Sequence, residues 1–183
     1  MSTLVLPDPS LVVLVGAAGS GKSTLAARLF PPDETLSSDA MRAVVSGNEA
    51  DQRSTAAAFR ILHKSLDHRL ATGQTTVVDA TNTKAEDRRP LLQGARTAGV
   101  PAVALVLDLP PDTILAQSAG RTARVVDPAV VDRHIAAIRR TIDQGQLTAE
   151  GFDHVVLLRS PTEATALRLE RPRPARPREP APA

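Results

Sequence analysis

The sequence predicts an α/β domain in which helices cover both faces of a parallel sheet. Three observations carry this. Leu11-Val12-Val13-Leu14-Val15 is a continuous apolar, β-branched run, as a strand buried on both faces requires. Similar runs recur at Thr76-Val77-Val78, Ala102 to Leu107 and Val155 to Leu158, with a shorter strand at Glu34-Thr35-Leu36-Ser37. Between them the apolar period changes to that of helices, with Phe59, Leu62, Leu66 and Leu70 on one stripe and Val131, Ile135, Ile138 and Ile142 on another. Strands alternating with helices form βαβ units, hence three layers, α/β/α.

Composition supports a single folded body and narrows its chemistry. The chain has 183 residues, 42% of them apolar and 23% charged, enough to bury one sizeable core. It has no cysteine, which excludes a disulfide scaffold, a zinc–thiolate site and a thiol nucleophile. Phe30, Phe59 and Phe152 are its only aromatic residues, too few for a platform on which bases stack. No apolar run approaches the roughly 18 residues of a membrane span. The first ten residues hold no Lys or Arg, so no signal peptide is visible and a cytoplasmic location is expected.

The net charge is +2, but the last thirteen residues, Arg171 to Ala183, hold four Arg and one Glu, leaving the other 170 residues at −1. The body is therefore no general polyanion binder. The tail alternates Arg and Pro with Ala and reads as a stiff, solvated linker or a disordered end, so the expected domain is 1–170 and the tail 171–183.

Gly16-Ala17-Ala18-Gly19-Ser20-Gly21-Lys22-Ser23 fits the phosphate-loop pattern G-x-x-x-x-G-K-[ST], directly after the first buried strand and before an expected helix, Ser23 to Phe30. Glycines let backbone N–H groups turn inward around phosphate oxygens, and the helix N-terminus adds a favourable dipole. Lys22 supplies a mobile point charge for the β- and γ-phosphates, and the Ser23 hydroxyl a ligand for Mg²⁺. The expected nucleotide-binding set is Gly16, Gly19, Ser20, Gly21, Lys22, Ser23 and Thr24. The guanine-reading pattern N-K-x-D is absent, since Asn82-Thr83-Lys84-Ala85-Glu86 does not supply it.

Two strand ends carry acids. Ser37-Ser38-Asp39-Ala40-Met41-Arg42 follows the short second strand, where the carboxyl ends of strands face the ligand crevice. A helix starting near Asp39 puts Arg42 one turn on, on the same face. There a carboxylate can take the proton of an attacking hydroxyl while an Arg fork holds an anionic group of the acceptor. The competing reading is a helix cap with a surface ion pair. Thr76-Val77-Val78-Asp79-Ala80-Thr81-Asn82 ends another strand in an acid. Asp79, Thr81 or Asn82 there positions water on Mg²⁺ or lines the acceptor groove, unless Asp79 is simply a turn former.

Gly120-Arg121-Thr122-Ala123-Arg124 lies just before Asp127-Pro128, a good helix start, and reads as a lid carrying cations. Arg133, Arg139 and Arg140 read as a solvated face. His63, His68, His134 and His154 show no trustworthy metal-ligand spacing and read as solvated or satisfied histidines.

Taken in order, Leu11 to Thr24, Ser37-Ser38-Asp39 with Arg42, Val77 to Asn82, and Arg121-Thr122 with the helix after it closely resemble the kinase domain of bacterial polynucleotide kinase-phosphatase, an RNA end-healing family. The resemblance covers about residues 4–170. It implies a P-loop kinase fold with strand order 2-3-1-4-5 and a helical lid. It implies transfer of the γ-phosphate of ATP, or of another nucleoside triphosphate, with Mg²⁺ or Mn²⁺, to the 5′-hydroxyl of RNA or DNA. Lys22, Asp39, Arg42 and Arg121 would be catalytic, Asp39 as general base. Arg121 and Arg124 would reach the nucleotide, and Asp39, Arg42, Asp79, Thr81 and Asn82 the acceptor. Phosphatase and ligase-like domains would follow beyond residue 183. The sequence departs from the family at Gln117, where the pattern has Arg. Outside the resemblance, the same residues fit a small-molecule kinase for a sugar acid or nucleoside, or a non-catalytic ATP-binding module.

Overall fold

The computed structural model describes residues 3–48, 51–119 and 127–172. The chain runs through β1 (Thr3–Val5), β2 (Leu11–Gly16), α1 (Lys22–Leu29), β3 (Thr35–Ser37), α2 (Ser38–Ser46), α3 (Thr55–Ala71), β4 (Thr76–Asp79) and α4 (Ala85–Ala98). It continues through β5 (Ala102–Leu107), α5 (Pro111–Ala119), α6 (Pro128–Asp143), α7 (Gln146–Glu150), β6 (His154–Leu158), α8 (Pro161–Ala166) and β7 (Arg168–Glu170). The four apolar runs and the short segment at Thr35–Ser37 are all strands, and they form one parallel sheet in the order β3-β4-β2-β5-β6. Counted from the first buried run, this is the order 2-3-1-4-5.

β2 and β5 are buried at every position, which explains their unbroken apolar composition. The chain moves outward from β2 to the edge strand β3, returns to β4, then crosses β2 to reach β5 and β6. Right-handed crossovers put α1 on one face of the sheet and α3 and α4 on the other. Accordingly α3 packs on α4 and α4 on α7, while Arg28 of α1 bonds the Ala164 and Leu167 carbonyls at the end of α8. The expected helical stripes face the core: Leu62, Leu66 and Leu70 of α3, and Val131, Ile135 and Ile138 of α6. Burying each such side chain stabilises by about 1.5–3 kcal/mol, so packing rather than propensity holds these helices. Asp127 caps α6 by accepting the Ala129 N–H at 2.9 Å, with Pro128 as first helical residue.

A second, two-stranded parallel sheet joins β1 to β7 and was not expected. The Leu6 N–H extends it to the Glu170 carbonyl at 2.8 Å. Arg171, the first residue of the expected tail, forks onto both carboxylate oxygens of Glu34, just before β3. The rest of that tail, 173–183, lies outside the described residues. No helix among the described residues is long and apolar enough to cross a membrane.

Strand register brings Gly16, Ser37, Asp79 and Leu107 to one edge of the sheet. That edge is where an open α/β sheet binds ligands.

Candidate active site

The phosphate loop leaves β2 at Gly16, whose N–H donates to the Thr81 carbonyl at 3.0 Å and fixes the loop's base to the turn after β4. A Cβ at Gly16 would stand 2.7 Å from Ser20 Oγ and 3.3 Å from Leu107 Cβ, so a side chain there would displace the Ser20 hydroxyl from its place in the loop. Gly19 and Gly21 have φ of +84° and +89°, the left-handed region that turns successive N–H groups to one side. Gly21 is the N-cap of α1 and offers no side-chain cap, so the helix presents first-turn amides, including those of Ser23 and Thr24, to an anion. The Ser20 hydroxyl is buried and has no hydrogen-bond partner among the described residues. Lys22 arches back, its Nζ donating to the Gly16 carbonyl at 3.1 Å and the Ala17 carbonyl at 2.8 Å. This cradle fits a triphosphate: inward amides, an uncapped helix start and a cation at the mouth.

Among the described residues no group of three or more His, Asp or Glu gathers in metal-ligand fashion. Mg²⁺ usually keeps several waters and takes one or two protein ligands together with substrate phosphates. Ser23 is exposed on α1 and Asp79 ends β4 with 6% exposure. No other described residue bonds the Asp79 carboxylate.

On the opposite rim, β3 passes directly into α2. Ser37 caps the helix, its hydroxyl accepting the Ala40 N–H at 3.4 Å. Asp39 therefore lies in the first turn, where the helix dipole favours a carboxylate. Arg42, one turn on, is buried and its Nη2 donates to Asp39 Oδ1, which also accepts the Ser38 hydroxyl at 3.4 Å. The side chains are 6% and 54% exposed respectively, so a buried guanidinium holds a carboxylate that stays open to solvent. Oδ2 of Asp39 has no hydrogen-bond partner among the described residues. β3 is two strand spacings, roughly 10 Å, from β2, a distance that leaves room for phosphates between Asp39 and the loop.

The turn after β4 is braced from within. Asn82, at φ +47°, is 1% exposed and donates Nδ2 to the Leu14 carbonyl at 2.8 Å. It faces the sheet backbone, not the groove. Its own carbonyl accepts Arg88 Nη1 at 2.9 Å. Arg88 is fully buried and forks onto Glu150 of α7 at 2.7 and 2.5 Å. Sequence reasoning missed Arg88, although positions 88, 91, 92 and 95 recur at helical spacing and all face inward.

His134 of α6, read from sequence as a bystander, accepts the Ala18 N–H on Nδ1 at 3.3 Å. Burial, then Lys22, Arg133 and Lys84, push its pKa below the ordinary imidazole value, against a smaller upward pull from Asp87. Gln117 reaches over the loop from α5: its Oε1 lies 3.6 Å from where a Gly21 Cβ would stand. Arg139, expected in solvent, donates to Asp108 at the end of β5 at 3.3 Å while remaining half-exposed. Arg121, Arg124 and the expected lid segment, 120–124, lie outside the described residues.

A family model described as an AAA domain matches residues 11–144, well over half of the chain. No curated protein matches it. Several solved structures share the fold. A chain of the Pnkp1/Rnl/Hen1 RNA repair complex is 22% identical with a TM-score of 0.62, over 75% of this chain and 46% of that one. The present chain thus spans less than half the length of that relative. A gluconokinase from Sinorhizobium meliloti is 18% identical with a TM-score of 0.54, over 87% and 91% of the two chains. The Mycobacterium tuberculosis APS kinase CysC, solved with AMPPNP and APS, is 16% identical with a TM-score of 0.50, over 82% and 89%. The phosphate loop at the head of α1, the parallel sheet order and these matches agree: the chain belongs to the AAA domain family and has the fold of a P-loop kinase.

Proposed function

We propose that the protein is a polynucleotide 5′-hydroxyl kinase, moving the γ-phosphate of ATP or another nucleoside triphosphate to the 5′ end of RNA or DNA in end healing. The observation that carries this reading is the Asp39–Arg42 couple, a buried guanidinium steering an open carboxylate at the crevice edge. Asp39 Oδ2 takes the proton of the terminal hydroxyl as its oxygen attacks the γ-phosphorus in line. The bond from that phosphorus to the β–γ bridging oxygen breaks, and the nucleoside diphosphate leaves. Lys22 exchanges the Gly16 and Ala17 carbonyls for β- and γ-phosphate oxygens. Mg²⁺ or Mn²⁺, when bound, neutralises charge on the outer phosphates, and Ser23 with Asp79 would hold it. Arg42 holds the acceptor's backbone phosphate. Asp79 and Thr81 border the groove, and Asn82 braces it. Arg121 and Arg124 supply cations to the transferring group.

The ordered motifs and the likeness to a chain of an RNA repair complex support this reading. Within this chain, 1–170 is read as the catalytic domain and 171–183 as a linker. A second reading, a sugar-acid kinase, is favoured by the nearly full-length match to the gluconokinase. Both are tested by offering γ-labelled ATP together with 5′-hydroxyl RNA and DNA oligonucleotides, gluconate and nucleosides. Label should enter the oligonucleotides. Label confined to a small molecule would replace the first reading with the second, and slow ATP hydrolysis indifferent to every acceptor would favour a nucleotide-binding module.

A further inference from the structure

The Ala18 N–H stands at the crest of the phosphate loop, one residue before the first left-handed glycine. Its partner is not another loop atom but Nδ1 of His134, 116 residues away on α6. Ala17, by contrast, is bonded within the loop, its carbonyl accepting the Ser20 N–H at 3.1 Å. We propose that His134 is a positioning residue of the phosphate loop, its Nδ1 holding the Ala18 N–H and with it the crest of the loop in the shape that receives the outer phosphates. The inference rests on the nucleotide-binding half of the function proposed above and not on the acceptor.

The chemistry follows from the direction of the bond. Nδ1 accepts, so in the neutral ring the proton sits on Nε2. A protonated imidazole has no lone pair for Ala18. Its surroundings oppose protonation: it is half-buried, the charges of Lys22 of α1, Arg133 of α6 and Lys84 before α4 act against it, and among the described residues Asp87 of α4 pulls the other way. The loop is otherwise tied to the sheet through Gly16 and Thr81 at its base. His134 thus fastens the far side, and α6 itself is fixed by Val131, Ile135 and Ile138 in the core. A loop so fastened needs less ordering when the nucleotide arrives.

Two variants test this. His134→Leu keeps bulk and removes the acceptor. His134→Asn keeps an acceptor oxygen near the Nδ1 position and cannot be protonated. Affinity for Mg·ATP is measured by calorimetry between pH 5.5 and 8, with thermal melting as a check on folding. At pH 8 the Leu variant should bind about tenfold more weakly and the Asn variant within twofold of the unsubstituted protein. As pH falls, affinity of the unsubstituted protein relative to the Asn variant should drop, a ratio in which the nucleotide's own titration cancels. If the Leu variant is unfolded, this ratio decides alone. Unchanged affinity in a folded Leu variant overturns the proposal. So does a ratio that rises in acid, which would make His134 a cationic phosphate ligand. Absence of nucleotide binding by the unsubstituted protein would refute the phosphate-loop reading itself.

Discussion

The Arg42 guanidinium is buried beneath the Asp39 carboxylate, bonds one of its oxygens and leaves the other open. A general base needs this arrangement: a fixed direction and a free lone pair. Replacing Asp39 by Ala should lower phosphoryl transfer by about 10²–10⁴-fold, the usual contribution of a positioned base. Nucleotide affinity, measured by calorimetry, should stay within twofold, because no phosphate-loop atom depends on Asp39. Arg42→Lys should chiefly raise the KM for the acceptor, because an ammonium cannot reproduce the planar fork.

Gly21 holds φ at +89° while serving as the N-cap of α1. The space around a Cβ there is adequate, since the nearest atom lies at 3.6 Å. The cost of Gly21→Ala is therefore backbone strain, about 1–2 kcal/mol. Either stability falls by that amount or the loop relaxes and loses its cradle. A denaturant melt together with a nucleotide-binding isotherm should show the sum of both losses near that figure.

Much of this architecture was legible because it is encoded locally. Four apolar runs, one short strand and two helical stripes suffice for a parallel sheet, and one eight-residue motif identifies the phosphate loop. Asp39 and Arg42 are three residues apart, so their meeting needed only a helix. What stayed hidden depends on partners distant in sequence. Arg88 meets Glu150 across 62 positions and His134 meets Ala18 across 116, and neither pairing leaves a trace in local periodicity. β1 and β7 were missed for another reason. Each has three residues, with burial alternating and partial; β1 is a short Thr-Leu-Val stretch and β7, Arg-Leu-Glu, is not apolar at all.

Gln117 overhangs Gly21 where a cationic side chain would meet the phosphates. A charge-assisted bond to phosphate is stronger than a neutral one, but this side chain is exposed and solvent screens it. Gln117→Arg should lower the KM for ATP by roughly 3–10-fold at low salt, with a smaller gain at 0.5 M salt. Steady-state kinetics at both ionic strengths check the sign and the screening.

Arg88 carries a full charge inside the core, balanced by Glu150 and the Asn82 carbonyl. Removing one partner of such a pair leaves an uncompensated charge, at a cost of about 3–5 kcal/mol. Glu150→Ala should fall at the lower end, because Glu150 keeps some solvent access. Urea unfolding gives the loss directly. Turnover should fall as well, since Arg88 braces the turn that carries Thr81, whose carbonyl holds the Gly16 N–H.

Two half-buried imidazoles make stability fall in acid. Burial is the main cause for both, lowering the pKa of His63 against an opposing Asp67 and that of His134 with help from nearby cations. Below about pH 6.5 the unfolded chain binds these protons more readily than the folded one. Their contribution is therefore complete above that pH and is lost as pH falls through the lowered folded values. His63 adds a second penalty, because its Nε2 is buried without a hydrogen-bond partner among the described residues, in a ring set T-shaped against Phe59. His63→Leu removes both the orphaned nitrogen and the titration. Thermal melts at pH 7.5 and 5.5 should show the unsubstituted protein losing stability in acid. The Leu variant should be equal or up to about 1 kcal/mol more stable at the higher pH, and should lose less at the lower.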